Sequence, residues 1–132
     1  MRLMIVDDHA GAREMIRRFL ALPGVTFCEC NSGHDALQRA REFKPHWVTV
    51  DVNMPDLDGF RCTEALRTEH PAARIVIVTD HSDPLYHERS RSVGAVALVN
   101  KENLLALRAM LVRELAATYF LPLPNRNKKP KS

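Results

Sequence analysis

Cysteine is scarce in this sequence, and the few that occur are not arranged for metal binding. The chain contains three cysteines, Cys28, Cys30 and Cys62, and no C-x-x-C pair. A structural zinc site needs more Cys and His ligands in tight pairs. The spacing therefore argues against such a site and favours reduced thiols in a reducing compartment. The six histidines are scattered along the chain and form no ligand pattern either.

Long hydrophobic runs are also missing. No segment approaches the roughly 20 consecutive apolar residues that a membrane-spanning helix needs. The sequence begins MRLMIVDD, which does not have the pattern of an apolar signal segment. We therefore expect a cytoplasmic protein that makes no contact with a membrane.

An excess of charge of one sign is confined to the end of the chain. The net charge is +3, and residues 121–132, LPLPNRNKKPKS, contain four Lys and Arg, three prolines and no acid. Subtracting those four positive charges from +3 leaves −1 for the first 120 residues. This composition predicts that residues 119–132 form a basic, Pro- and Lys-rich disordered tail or a truncated linker. We expect no direct nucleic-acid binding from this chain.

What the sequence does contain is an alternation of short apolar runs with helical periodicity. The apolar runs are LMIV (3–6), VTFCEC (25–30), HWVTV (46–50), RIVIV (74–78) and VALV (96–99). Amphipathic stretches separate them, and a last one, with leucines at 104, 107, 111 and 115, follows the fifth run. Strands that are almost continuously apolar are typical of parallel sheets covered on both faces. The pattern predicts one α/β domain over residues 1–118, with a doubly wound five-stranded parallel sheet.

Turn and capping residues are consistent with these boundaries. Asp83 followed by Pro84 is typical of a helix start. Gly24 and Gly94 are expected to end the helices that precede the second and fifth strands. Asp8, just before the first helix, is a candidate cap when it is considered alone.

Polar side chains stand at the carboxyl ends of four predicted strands. Asp7 and Asp8 follow the first strand, and Asp51, Thr79 and Lys101 follow the third, fourth and fifth. Because parallel strands lie about 4.8 Å apart, these groups can converge at one edge of the sheet. Crowded carboxylates repel one another unless a cation or a proton intervenes. Mg²⁺ prefers such oxygen ligands, and a hydroxyl and an ammonium beside it would suit a phosphoryl group.

Four short motifs in the sequence are similar to those of a known protein family. They are IVDDH (5–9), VDVNMPDLDG (50–59), IVTD (77–80) and NK (100–101). With them the chain resembles, over about residues 2–118, the receiver domain of two-component response regulators. The runs GAREMIRRFL and KEN are most similar to regulators with a helix-turn-helix output domain. The resemblance implies a flavodoxin-like (βα)5 fold with strand order 2-1-3-4-5.

The resemblance also implies a role for each residue of the site. Asp51 would be the phosphoacceptor. Asp8 would bind Mg²⁺ directly, Asp7 mainly through water, and Asn53 through its backbone carbonyl. Two further residues would contact the transferred group, Lys101 by pairing with one phosphoryl oxygen and Thr79 by reorienting to bond another.

A domain of this kind is a phosphorylation-dependent signalling switch rather than an enzyme that turns over a substrate. The implied partners are a sensor histidine kinase or phosphotransfer protein, and a downstream output protein or a missing C-terminal output domain. Phosphorylation would change the partner-binding face and strengthen a weak homodimer through the fourth helix, fifth strand and fifth helix. Exposed Leu105 and Val112 are candidates for that contact.

Two alternatives remain open on the sequence. One is a receiver-like scaffold that works without phosphorylation, and the other is a phosphatase with an aspartate nucleophile. The second is disfavoured because such phosphatases carry a general acid two residues after the nucleophile, where this chain has Asn53.

Two departures from the family pattern bear on switching. Asp80 stands where the family usually has a small residue, and Leu98 replaces an aromatic that swings inward. Tyr86, in the fourth helix, is expected at the surface.

Overall fold

The computed structural model describes residues 1–81 and 83–119, in which five strands alternate with five helices. The strands are β1 (Arg2–Val6), β2 (Thr26–Cys30), β3 (Trp47–Asp51), β4 (Arg74–Thr79) and β5 (Ala97–Asn100). The helices are α1 (Ala10–Phe19), α2 (Gly33–Phe43), α3 (Gly59–Glu69), α4 (Pro84–Ser92) and α5 (Leu104–Tyr119). A short 3₁₀ turn, Lys101–Asn103, joins β5 to α5. The predicted strands were placed to within one residue at each end.

All five strands are parallel and form one sheet in the order β2-β1-β3-β4-β5. The predicted fold class and strand order are therefore confirmed. Asp51 pairs with Val78, and Thr79 pairs with Asn100. These two side chains belong to the last residues of β3 and β4 rather than to the loops that follow, so the sheet itself holds them in place.

The sheet is covered on both faces, as its continuous apolar strands predicted. Alternate residues of β1 point to opposite sides: Leu3 and Ile5 belong to the core beneath α1 and α5, whereas Met4 and Val6 belong to the core beneath α2 and α3. The first core also holds the leucine stripe of α5 at 104, 107 and 111. Because both faces are filled, the open edge at the strand carboxyl ends is where polar groups can gather.

The helix boundaries have identifiable causes. Asp83 caps α4 by accepting a hydrogen bond from the Leu85 N–H at 2.9 Å, with Pro84 at the first position. Gly94, with φ +93°, follows the end of α4 as predicted, whereas Gly24 lies in a turn after α1 has already ended at Phe19. Asp8 does not cap α1, since His9 occupies that position without a side-chain bond. The Asp8 carboxylate is therefore left for the site.

No helix in the described part of the chain is both long and apolar enough to cross a membrane. Tyr119, the first residue of the predicted tail, is the last residue of α5. The rest of that tail, 120–132, lies outside the described residues.

Candidate functional site

The structure brings three carboxylates together at the carboxyl edge of the sheet. Oxygen atoms of Asp7, Asp8 and Asp51 and a ring nitrogen of His9 all lie within 4.8 Å of one another. Asp7 and Asp51 are buried, and Asp8 is partly exposed. The sequence placed the three acids together, but it did not single out His9, whose largely exposed ring lies beside them.

Lys101 lies among these acids. Its Nζ is 2.9 Å from Asp7 Oδ2 and 3.2 Å from Asp51 Oδ1. Burial alone would lower the pKa of Lys101, but its contact with Asp7 and the charge of Asp51 outweigh burial and raise that pKa. The ammonium is therefore held in its charged form between two carboxylates. This pairing offsets part of the repulsion among the acids.

The ionised form of the Asp51 carboxyl is nevertheless disfavoured in this position. Burial and then the charge of Asp7 raise its pKa from 3.8 to about 6, against the opposing effect of Lys101. A buried carboxylate with a raised pKa gains from any cation that replaces its lost hydration. The cluster thus favours a positive charge at this edge of the sheet.

Unpaired oxygens show where such a cation would find ligands. Asp8 Oδ1 is buried and accepts no hydrogen bond from the described residues. His9 Nδ1 lies 3.1 Å from it, within the distance of an ion pair when the ring is protonated. Asp7 Oδ1, in contrast, accepts the backbone N–H of His9 at 2.9 Å. Three carboxylates, one with a buried oxygen that accepts no hydrogen bond, suit a hard divalent cation, so these acids fit a metal.

Thr79 is fully buried, and its hydroxyl is engaged by the loop that follows β4. Thr79 Oγ1 accepts the backbone N–H of His81 at 3.1 Å. The His81 ring then lies with Nε2 3.2 Å from Asn53 Nδ2 and packs edge-on against Tyr86 at 5.5 Å. The structure therefore links the threonine, the loop and the mouth of the site through His81. These contacts of His81 depend on the tertiary fold and could not be predicted from the sequence.

Tyr86 is not the surface residue that the sequence suggested. It is partly buried and packs edge-on against Phe60 at 5.4 Å. Phe60 is 2% exposed and belongs to a small core with Val52 and Ile77. The expectation failed because α4 has few apolar residues, so its periodicity does not reveal which side faces the sheet.

A groove of about 730 Å³ opens beside Lys101, between α1 and the start of α5. The groove is lined by polar residues, including His9, Asp80 and Glu102, and by apolar residues that include Met15 and Leu105. Met15 is 48% exposed and Leu105 is 66% exposed. Asp80 is thus exposed on the same groove as the lysine of the site.

Residues 3–111 match the family model of the response regulator receiver domain. The chain belongs to this family. Receiver domains are signalling domains of two-component systems rather than classical enzymes.

Two bacterial regulators are similar to this chain in sequence. The chain is 34% identical over 115 residues to the response regulator GacA of Pseudomonas viridiflava, a match that covers 86% of this chain and 54% of GacA. It is 32% identical over 103 residues to the DNA-binding transcriptional activator EvgA of Escherichia coli K12, covering 77% and 50%. The chain thus spans about half the length of these relatives.

Solved structures agree with the sequence relatives. A two-component response regulator of the LuxR family from Aurantimonas sp. SI85-9A1 superposes with a TM-score of 0.79 at 31% identity, covering 88% of this chain and 85% of that one. The Vibrio cholerae chemotaxis protein CheY4 superposes with a TM-score of 0.77 at 27% identity, covering 85% and 96%. The predicted similarity to regulators with a DNA-binding output is confirmed by EvgA.

Proposed function

We propose that this receiver is a phosphorylation-dependent switch and that Asp51 is its phosphoacceptor. The observation that carries the proposal is the position of Asp51, a buried carboxylate at a strand end, paired with Lys101 and beside Asp7. The donor would be a phosphohistidine of a sensor kinase or a phosphotransfer protein. An Asp51 oxygen would bond to phosphorus as the phosphorus–nitrogen bond of the donor breaks and the imidazole leaves.

We further propose that the acids hold Mg²⁺. Asp8 and Asp51 would bind it directly, Asp7 through water, and Asn53 through its backbone carbonyl. The ion would supply positive charge that offsets the carboxylates and the incoming phosphoryl oxygens. The free Asp8 Oδ1 and the raised pKa of Asp51 both support a cation here.

Lys101 and Thr79 would hold the transferred group. The Lys101 ammonium already lies between Asp7 and Asp51, so a small shift would pair it with a phosphoryl oxygen. Thr79 would donate its hydroxyl hydrogen to another phosphoryl oxygen, and a rotation of its side chain toward that oxygen would break the bond that it accepts from the His81 N–H. The loop after β4 would then lose one of its anchors, which offers a route from the phosphoryl group to α4.

The apolar groove beside Lys101 is suited to the phosphodonor protein. It adjoins the site, and its exposed Met15 could be covered by an apolar helix of the donor.

The switched face would lie around α4, β5 and α5, where Leu105 is 66% exposed and Val112 is 45% exposed. We propose weak, phosphorylation-strengthened pairing of two copies there, and a downstream output protein or domain as the receiver of the signal. Residues 1–118 would form the signalling unit and 119–132 a tail or linker.

Acetyl phosphate tests the proposed function directly. With Mg²⁺, the protein should gain one phosphoryl group by intact-mass measurement, and a chelator should prevent the gain. No modification despite a folded protein would favour the alternative of a phosphorylation-independent scaffold. Continuous Mg²⁺-dependent hydrolysis of a generic phosphate ester would instead favour the phosphatase.

Asp80 is expected to slow the reaction with anionic donors. Its carboxylate lies exposed on the groove that also holds Lys101, where it repels an approaching phosphoryl group. Solvent screening limits the effect, so Asp80→Ala should be phosphorylated by acetyl phosphate about five-fold faster at saturating Mg²⁺ and low salt. Rates of both proteins across a salt series check this, and the difference should shrink as salt rises. An equal or slower rate for the variant at low salt would show that Asp80 does not act on the donor.

A further inference from the structure

Arg13 connects α1 to the loop that carries the acids. Its side chain is 17% exposed, and its Nη1 donates a hydrogen bond to the backbone carbonyl of Asp7 at 2.7 Å. Its Nε donates to Glu29 Oε1 on β2 at 3.1 Å. One guanidinium thus joins a helix, an edge strand and the end of β1.

The Asp7 carbonyl that Arg13 contacts influences the geometry of two carboxylates of the site. It belongs to the peptide unit that joins Asp7 to Asp8, so its orientation sets the directions in which both carboxylates leave the backbone. On the other side of Asp7, its N–H donates to the Cys30 carbonyl at 3.1 Å. The backbone of Asp7 is therefore fixed from two neighbours, and Arg13 supplies the fixation nearest to Asp8.

Glu29 keeps the Arg13 guanidinium in this position and offsets its charge. A hydrogen bond from Arg17 lowers the pKa of Glu29, burial opposes the shift, and the hydrogen bond from Arg13 adds to it. Glu29 is thus an anion over the ordinary pH range. The Arg13–Glu29 pair is nearly neutral, so its repulsion of a cation at the acids is small.

We propose that Arg13 is a positioning residue for the divalent-cation site, acting through the Asp7 carbonyl. This inference rests on the proposed phosphoacceptor function. Groups that orient metal ligands commonly account for 10- to 100-fold in metal affinity. Without the Arg13 hydrogen bond, the peptide unit between Asp7 and Asp8 can tilt. Binding of the cation must then also order this peptide, which weakens the affinity. A pure charge effect would have the opposite sign, because removing a positive charge near the acids would tighten cation binding.

Arg17 provides a matched control. It lies one turn further along α1, its Nη1 donates to the other Glu29 oxygen at 2.8 Å, and its guanidinium lies 4.9 Å from the centre of the Phe27 ring. Arg17→Gln therefore removes one ion pair to Glu29 and leaves the Arg13–Asp7 bond in place. Arg13→Gln removes the ion pair and the bond together.

The experiment measures Mg²⁺ binding to the metal-free full chain by calorimetry. Arg13→Gln should bind Mg²⁺ about tenfold more weakly than the wild type, and Arg17→Gln should stay within about twofold of it. The concentration of Mg²⁺ that half-saturates phosphorylation by acetyl phosphate should rise by a similar factor for Arg13→Gln. Its rate at saturating Mg²⁺ should fall by less than about threefold, a division that a general loss of stability would not produce.

Each other result has a definite meaning. Equal or tighter Mg²⁺ binding by Arg13→Gln, or an equal loss in both variants, would overturn the positioning role while leaving the proposed function intact. Absence of Mg²⁺ binding by the wild type would overturn the proposed function as well. If Arg13→Gln does not fold, Arg13→Met replaces it, because methionine keeps the unbranched stem but has no hydrogen to donate to the Asp7 carbonyl. Weaker binding by that variant would support the role, and unchanged binding would overturn it.

Discussion

Replacing Asp51 with asparagine is expected to abolish phosphorylation by acetyl phosphate. An amide of the same shape keeps the contacts of the strand end but cannot act as the anionic nucleophile. The nearby carboxylates of Asp7 and Asp8 should not substitute, because both residues follow the end of β1, whereas Asp51 is itself a residue of β3 and is held by the sheet. Intact-mass measurement after incubation with Mg²⁺ and acetyl phosphate gives the result.

A second acid in the following loop serves as the control. Asp58 accepts the Arg61 N–H at the start of α3, a contact that asparagine can also make. Asp58→Asn should therefore be phosphorylated like the wild type. Modification of Asp51→Asn to the wild-type extent would show that another group is the phosphoacceptor.

The Asp51→Asn variant should also be more stable than the wild type in the absence of metal. The pKa of Asp51 is raised from 3.8 to about 6 by burial and by Asp7, so the folded state holds its proton longer than the unfolded state. The wild type consequently loses stability as the pH rises from about 4 to about 6. The gain from asparagine should be absent below about pH 4 and reach up to about 3 kcal/mol above pH 6. Urea unfolding at the two ends of this range measures it and shows that the variant is folded.

The strands of this domain could be predicted from the sequence because their amino-acid composition is distinctive. The runs that became β1, β3 and β4 are nearly continuously apolar, as expected for strands of a sheet that is buried on both faces. Once five strands alternate with helices, right-handed parallel connections leave few topologies. Their order across the sheet came from the resemblance to receivers rather than from the pattern.

The candidate site, like the fold, could be predicted from the sequence only in part. Asp7, Asp8 and Asp51 were brought to one edge by strand ends, which the sequence displays. The partner of each side chain depends on tertiary contacts, and these were not predicted. Arg13 stands in an amphipathic helix like several other arginines, and nothing in its spacing distinguishes the one that reaches the Asp7 carbonyl.

Asp56, in the loop after β3, is another residue whose tertiary contacts could not be predicted from the sequence. It accepts the backbone N–H groups of Gly33 and His34 at the start of α2, at 3.2 and 2.9 Å. Burial would raise the pKa of Asp56, but these hydrogen bonds outweigh it and lower that pKa to about 2. The residue therefore ties the loop beside Asp51 to a helix more than 20 residues earlier in the chain. Nothing in the sequence of this segment identifies the residues that hold it.

The tightest steric constraint near the site is at Gly59, where alanine is expected to be strongly destabilising. A Cβ on Gly59 would lie 2.2 Å from the carbonyl oxygen of Asp51 and 2.8 Å from Val52 Cα. The Gly59 N–H also donates to the Val52 carbonyl at 2.8 Å, so α3 begins in direct contact with the end of β3. Both obstacles are backbone atoms, which cannot move aside without displacing Asp51 itself.

We therefore expect Gly59→Ala to lower the free energy of unfolding by at least about 3 kcal/mol, at the upper end of overpacking effects. Urea unfolding of the metal-free protein measures the loss, and Mg²⁺ affinity should fall with it because Asp51 is displaced. Gly11→Ala is the matched control: no atom lies within 4 Å of a Cβ there, in the first turn of α1. Alanine in place of that helical glycine should be neutral or stabilise by up to about 1 kcal/mol. A Gly59→Ala protein as stable as the wild type would show that α3 does not rest against the strand that presents Asp51.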